Sequence, residues 1–287
     1  MLLHCSIDEQ TLAPDTGTMS ETTYSLKRGT APLLLSIPHM GTQVPAWLQQ
    51  RLVARAMNCE DADWHLDRLY TFAHGLGASV LTPLYARYLI DLNRPPDNTP
   101  MYPGVSNTEL CPTRFFTGEP LYRDGQAPEG DEIRARTRQF WQPYHQALQQ
   151  ELTRLRERFG YALLFDAHSI CSVLPWLFDG KLPDLNLGTA DGKSCSPSIT
   201  VALADVVSTS APYSYAVNAR FKGGYTTRQY GNPQQQVHAV QLEMCWSTYM
   251  MEQAPWALDE LRTAAVLPVL KRLLGTLLGC GAALAAP

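Results

Sequence analysis

Short apolar runs alternate along this chain with stretches in which apolar residues recur every three or four positions. Leu33-Leu34-Leu35-Ser36-Ile37 is an apolar run ended by Pro38-His39, the pattern of a buried strand that delivers His39 at its carboxyl end. Leu66, Leu69, Ala73 and Leu76 keep helical spacing and predict a helix within 62–76. Ser79 to Leu84 and Tyr88 to Leu92 predict two further strands, close enough for a hairpin. Ile133, Phe140, Tyr144, Leu148, Leu152, Leu155 and Phe159 mark a helix over 131–159, stopped by Gly160. Tyr161 to Phe165 predicts a strand ending in Asp166-Ala167-His168-Ser169. A helix is predicted at 195–207, a strand carrying Glu243 at 237–243, and a closing helix at 256–275, interrupted or bent at Pro268. Residues 1–30 read as an irregular lead-in. The stretch from Pro95 to Gly130, rich in Pro, Gly, Asn and Asp, has the length of a functional loop and would suit a lid.

Strands alternating with helices argue for one α/β domain over residues 1–287, a sheet with helices on both faces. Composition agrees: 45% of residues are apolar and only 17% charged, which excludes disorder and leaves material for a large core. The net charge of −4 and the lack of a Lys/Arg run argue against nucleic-acid partners. No secretory signal opens the chain, and its seven cysteines stand singly without a CxxC pair, as reduced thiols of a cytoplasmic protein would. The apolar C-terminal stretch LLGTLLGCGAALAA is shorter than the ~18 residues of a membrane span, so no membrane partner is expected. No phosphate-binding glycine motif follows a strand.

Ligands of open α/β sheets bind beyond the carboxyl ends of the strands. Three predicted strand ends carry titratable groups there: His39, Asp166 with His168, and Glu243. Two imidazoles and a carboxylate make a three-ligand zinc site with an open fourth position, where bound water is acidified. Glu60, Asp61 and Asp63 are the candidate third ligands, and a further carboxylate beside the metal would take the water's proton. There is no HExxH. A Ser–His–Asp triad could draw on Ser36 or Ser169, but no GxSxG elbow exists.

Six ordered blocks carry a resemblance. They are Ser36-Ile-Pro-His-Met-Gly41, Asp63-Trp-His-Leu-Asp-Arg-Leu-Tyr70, Arg87-Tyr-Leu-Ile-Asp-Leu-Asn-Arg-Pro95, Phe165-Asp-Ala-His-Ser169, Leu182-Pro-Asp-Leu-Asn-Leu-Gly188 and Arg220-Phe-Lys-Gly-Gly-Tyr-Thr-Thr-Arg228. Over about residues 31–255 they resemble the N-formylglutamate amidohydrolase family, which is similar in fold to zinc carboxypeptidases and aspartoacylase-type deacylases. The resemblance implies a three-layer, mixed and mostly parallel sheet. It implies metal-dependent hydrolysis of N-formyl-L-glutamate to L-glutamate and formate, in histidine degradation. It assigns His39 and His168 as zinc ligands and Glu243 as general base and acid. The carboxypeptidase-like HxxE pattern has Thr42 in place of its glutamate, so the carboxylate ligand must come from elsewhere; Asp63 is preferred and Asp61 is the runner-up. Asn93-Arg94 resembles the pair that holds a substrate carboxylate, with Arg87 as an additional arginine.

The substrate carries two carboxylates beside its amide, so two cationic clamps should flank the hydrolytic centre. Arg94, Arg220, Arg228, Arg87 and Lys222 are the basic candidates, and Gly223-Gly224 would let backbone approach the ligand. Of the 23 Lys and Arg, 18 are Arg and 5 are Lys, an excess that base composition explains as well as anion binding does. Two alternatives keep the same site: a deacylase for another N-acyl acidic amino acid, and a catalytically silent dicarboxylate-binding protein. Cobalt, nickel and manganese also suit the donor set, and the oligomeric state is not legible.

Overall fold

The computed structural model describes residues 22–101 and 107–285. Seven strands form one sheet: β1 (Tyr24–Lys27), β2 (Leu33–Ser36), β3 (Ser79–Pro83), β4 (Ala162–Ile170), β5 (Leu185–Gly188), β6 (Tyr215–Val217) and β7 (Val237–Cys245). Their spatial order is β1-β3-β2-β4-β7-β5-β6. The central strands β3, β2, β4 and β7 run parallel, β1 and β5 join them antiparallel, and β6 runs parallel to β5. The sheet is therefore mixed and mostly parallel, as expected. The helices are α1 (Ala46–Gln49), α2 (Leu66–Leu69), α3 (Gly130–Arg136), α4 (Gln142–Phe159), α5 (Pro197–Ser208), α6 (Tyr225–Tyr230) and α7 (Glu260–Ala285).

Alternation along the strands sorts side chains onto two faces. Leu33 and Leu35 of β2, Leu163 and Phe165 of β4, and Val240 and Leu242 of β7 pack with α5 and α7 through Ile199, Leu203, Leu270 and Leu274. Leu34, Leu164 and Ala239 turn the other way and pack with α4 through Tyr144, Leu148 and Leu152. Helices thus cover both faces.

Several boundaries differ from expectation. Part of the expected lead-in is an edge strand, β1, whose mostly half-buried side chains give no clear pattern; its ladder to β3 defines it. Residues 1–21 lie outside the described residues. The expected strand at 88–92 is a turn and coil, with the Leu89 N–H on the Ala86 carbonyl. Its Tyr88, Leu89, Ile90 and Leu92 are apolar because the segment fills the core, and apolarity alone does not distinguish that from a strand. The helix expected over 62–76 starts only at α2, because His65 takes a left-handed conformation (φ 62°), and past Tyr70 (φ −93°, ψ 12°) it continues as a 3-10 turn at Thr71–His74. The helix over 131–159 contains a π-helical turn, Thr137–Trp141, closed by the Gln142 N–H on the Thr137 carbonyl. Pro143 follows it, and Pro lacks the N–H a regular helix would use.

α7 continues through Pro268 and absorbs the apolar C-terminal stretch. By length and composition alone it could cross a membrane (mean hydropathy 1.4), contrary to the expectation from that stretch. Its Val266, Leu270, Leu273, Leu274 and Leu277 are buried in the core.

Candidate active site

β4 and β7 outlast their neighbour. β2 ends with Ser36 opposite Asp166, whereas β4 and β7 stay paired up to Ile170 opposite Cys245. His168 therefore projects from the extended end of β4, the strand end where it was expected. Below Ser36 the α4-side face is apolar, with Leu164 and Ala239. Beyond it the same alternating positions become Asp166, His168, Gln241 and Glu243, with His168 directly across from Glu243. His39 follows the end of β2. Gly41 fixes the chain's exit: a Cβ there would lie 2.2 Å from the Tyr85 carbonyl oxygen. The Asp63 N–H donates to the His39 carbonyl at 3.0 Å and ties these two residues together.

The ligand atoms of His39, Asp63 and His168 all lie within 4.8 Å of one another, and all three residues are buried. Asp63 Oδ2 is 3.2 Å from His168 Nδ1 and 3.7 Å from His39 Nδ1. The other imidazole nitrogens point at carboxylates: His39 Nε2 is 2.7 Å from Asp91 Oδ1, and His168 Nε2 is 3.1 Å from Asp166 Oδ2. Asp91 is itself held by Arg87 and by the Asn93 N–H, and Arg87, then His39 and Arg94, keep its carboxyl well below the usual range despite burial. An ionised Asp91 only accepts, so His39 donates from Nε2 and presents a lone pair at Nδ1. Burial, and then Arg87, lower the His39 pKa and keep that imidazole neutral. Two Nδ1 atoms and one carboxylate oxygen, each imidazole backed by a second carboxylate, make a donor set suited to a divalent metal ion.

Asp61, the runner-up ligand, lies outside this cluster. Its Oδ2 accepts the Phe116 N–H at 3.1 Å, and burial pushes its carboxyl up to about 7. Glu60 pairs with Arg55 instead.

The cluster opens into a pocket. His39, Asp63, Arg87, Asn93, Arg94, His168, Arg220 and Glu243 all line it. Burial pushes the Glu243 carboxyl up to about 8; Asp63 and Asp166 push the same way, against His168 and Arg87. Gln241 donates to Glu243 Oε2 at 3.2 Å and accepts the Gly224 N–H at 2.6 Å. Arg87 Nη1 reaches His39 Nδ1 at 3.3 Å, and its guanidinium lies 4.4 Å over the Phe116 ring. Asn93 is held by the Thr226 N–H at its Oδ1, and its Nδ2 is 3.0 Å from His168 Nε2. The Arg94 guanidinium is aimed by Thr108, through its carbonyl (3.0 Å) and hydroxyl (2.6 Å).

Two candidates lie elsewhere. Lys222 is half-exposed and pairs with Asp191 at 3.2 Å, while Arg228 is exposed and donates to the Gly223 carbonyl at 2.8 Å. Neither lines the pocket. Gly224 lines the pocket, and a Cβ on it would sit 2.2 Å from Asn93 Nδ2, so its bareness also seats Asn93. Loop residues Asn107, Thr108 and Phe116 contribute to the pocket wall, while 102–106 lie outside the described residues.

Sequence reasoning assigned no role to Asp91 or Gln241, and placed Asp166 at a strand end without seeing it back His168. Asp91 lies inside the Arg87–Pro95 block, and an acidic residue in an otherwise apolar run was the available signal.

A family model described as N-formylglutamate amidohydrolase matches residues 31–250. The chain is 50% identical over 258 residues to the N-formylglutamate deformylase of Pseudomonas putida, covering 90% of this chain and 96% of that one. It is 49% identical over 257 residues to the deformylase of Pseudomonas aeruginosa, with the same coverage. The fold matches a crystal structure of N-formylglutamate amidohydrolase from Ralstonia eutropha JMP134, with a TM-score of 0.74 and 24% identity over 90% of this chain and 97% of that one. The chain belongs to the N-formylglutamate amidohydrolase family.

Proposed function

We propose that this protein cleaves the formamide C–N bond of N-formyl-L-glutamate with water, giving formate and L-glutamate. The observation that carries the reading is convergence. Glu243 sits across the strand pair from His168, in one pocket with the His39–Asp63–His168 donor set, Arg94 and Arg220. The deformylase relatives at about 50% identity support the same substrate.

His39, Asp63 and His168 would hold the metal, zinc first, because this donor set leaves an open position. When bound, such an ion supplies Lewis acidity, polarising a carbonyl oxygen and lowering the pKa of water. Glu243 takes the attacking water's proton and delivers it to the departing amine nitrogen. Arg94 and Arg220 pair with the two substrate carboxylates. Arg87, facing the same space, stabilises negative charge developing on the formyl oxygen. The setting proposed for the reaction is histidine degradation in the cytoplasm.

Formate release from N-formylglutamate by the purified protein tests this. Activity should vanish on exhaustive chelation and return with zinc, and Glu243→Gln should lower kcat by about 10²–10⁴-fold. Full activity in the chelated protein or in Glu243→Gln overturns the mechanism. Values of kcat/KM for N-acetylglutamate and N-formylaspartate should fall below that for N-formylglutamate.

A further inference from the structure

Asp91, Asn93 and Arg94 all serve the pocket, yet the segment 91–94 belongs to no strand or helix. No ladder fixes its backbone, but each of its carbonyls is taken. Arg94 supplies two of the donors, its N–H to Asp91 (3.3 Å) and its Nη1 to Asn93 (3.1 Å). The other two come from outside. His145 Nε2 reaches the Leu92 carbonyl at 2.8 Å, and Trp141 Nε1 donates to the Arg94 carbonyl at 3.0 Å.

These two side chains form one device. Four residues apart, they share a helix face, and their rings stack with centroids 3.7 Å apart. The π-helical turn ends at Trp141, where its extra residue resets the register in which Trp141 and the following helix meet the segment. A carbonyl only accepts, so His145 donates from Nε2 and accepts the Tyr230 hydroxyl at Nδ1, 2.9 Å away. Burial pushes the His145 pKa down to about 3, so the ring is neutral.

We propose that Trp141 and His145 are positioning residues: by gripping the carbonyls on either side of Asn93, they aim the Asn93 amide and the Arg94 guanidinium into the pocket. Peptide units are planar, so the direction of the Leu92 carbonyl constrains φ of Asn93, and that of the Arg94 carbonyl constrains ψ of Arg94. Pro95 follows with its own φ fixed by its ring. Neither Trp141 nor His145 lines the pocket, so both act through the segment. The inference rests on the activity proposed above.

The test compares kinetics of Trp141→Phe, which keeps a ring but loses the N–H, with His145→Leu and His145→Gln. Trp141→Phe should raise KM for N-formylglutamate about tenfold with kcat within about threefold, the signature of lost binding that ground and transition states share. In an Arg94→Ala background the same change should add almost nothing, because both act through one guanidinium. His145→Leu should lower kcat/KM, and His145→Gln, whose amide N–H can still reach the Leu92 carbonyl, should recover most of it. Trp141→Phe and His145→Leu both within twofold of wild type, or a Trp141→Phe effect that multiplies fully with Arg94→Ala, would overturn the inference alone. Wild-type protein that releases no formate overturns it together with the proposed activity.

Discussion

His39 and His168 lie with ring centroids 4.9 Å apart, yet their surroundings drive them in opposite directions. Burial lowers both pKa values. At His39 the nearby Arg87 adds to that effect and the pKa falls. At His168 the carboxylates of Asp166 and Asp63 outweigh burial and hold the imidazole well above its usual value. Glu243, pushed up to about 8, also keeps its proton at neutral pH. A dication entering between them must displace protons from the groups whose pKa values are raised. Zinc titration at pH 7, in buffers of different ionisation enthalpy, should therefore release at least one proton per ion. Apparent affinity should climb as pH rises through the range in which those groups lose their protons. Binding without proton release would contradict this balance. Asp91→Asn isolates the backing carboxylate, since the amide keeps the shape and loses the charge. It should cost about 10–100-fold in metal affinity or activity, read by metal titration and formate release. His39, His168 and Glu243 were legible in the sequence because each follows or ends an apolar run. Asp91 and Asp166 were not legible as backing groups, because which carboxylate meets which imidazole is settled only when distant segments fold together.

At the scale of elements, alternation did most of the work and also set its limits. The buried strands β2, β4 and β7 announced themselves as apolar runs, and Asp166-Ala167-His168-Ser169 was expected to end β4. Asp166, His168 and Ser169 are polar, yet they are paired and buried, because the site is built on the strand's own carboxyl end. The run at 88–92 misled for the converse reason, since a coil that fills the core needs the same apolar side chains as a strand. One element-scale contact was invisible in sequence. Glu151 of α4, fully buried, accepts hydrogen bonds from Ser79 Oγ at the start of β3 and from Arg154 Nε at 2.9 Å. Ser79 in turn accepts the Gly29 N–H at 2.8 Å, so one carboxylate joins helix, strand and turn. Burial alone would raise its pKa, but Arg154 and Ser79 win and lower it below 4.5. A carboxyl depressed in the folded state adds stability above its unfolded pKa, and that stability is lost as pH falls through the folded value. Glu151→Gln should therefore cost about 1–3 kcal/mol at pH 7. The gap from wild type should narrow progressively below pH 4.5. Urea unfolding at pH 7 and at pH 3.5 measures both, and an equal gap at the two pH values would remove the ionised carboxylate from the explanation.

For the whole molecule, a net charge of −4 says little about a small dianion, because a few guanidiniums in one pocket decide its binding. Of the five basic residues singled out, Arg87, Arg94 and Arg220 reach the pocket, while Lys222 and Arg228 pair elsewhere. The metal-type donors show the same dependence on the complete fold. His39 follows β2, Asp63 lies in the segment before α2, and His168 is in β4, so the unfolded chain cannot bring them together. An ion that binds only the folded state stabilises it by about 2.7 kcal/mol at a free concentration one hundred times its Kd. For a chain of this size that corresponds to a Tm rise of roughly 5 °C. Thermal unfolding with and without zinc should show such a rise in the wild type and none in His39→Ala or Asp63→Ala. Asp61→Asn should retain it, because Asp61 binds the Phe116 N–H and takes no part in the cluster. A shift that survived in Asp63→Ala but vanished in Asp61→Asn would reverse the choice of carboxylate ligand. Loss of the shift in all three variants would instead tie it to the integrity of the whole 59–65 segment.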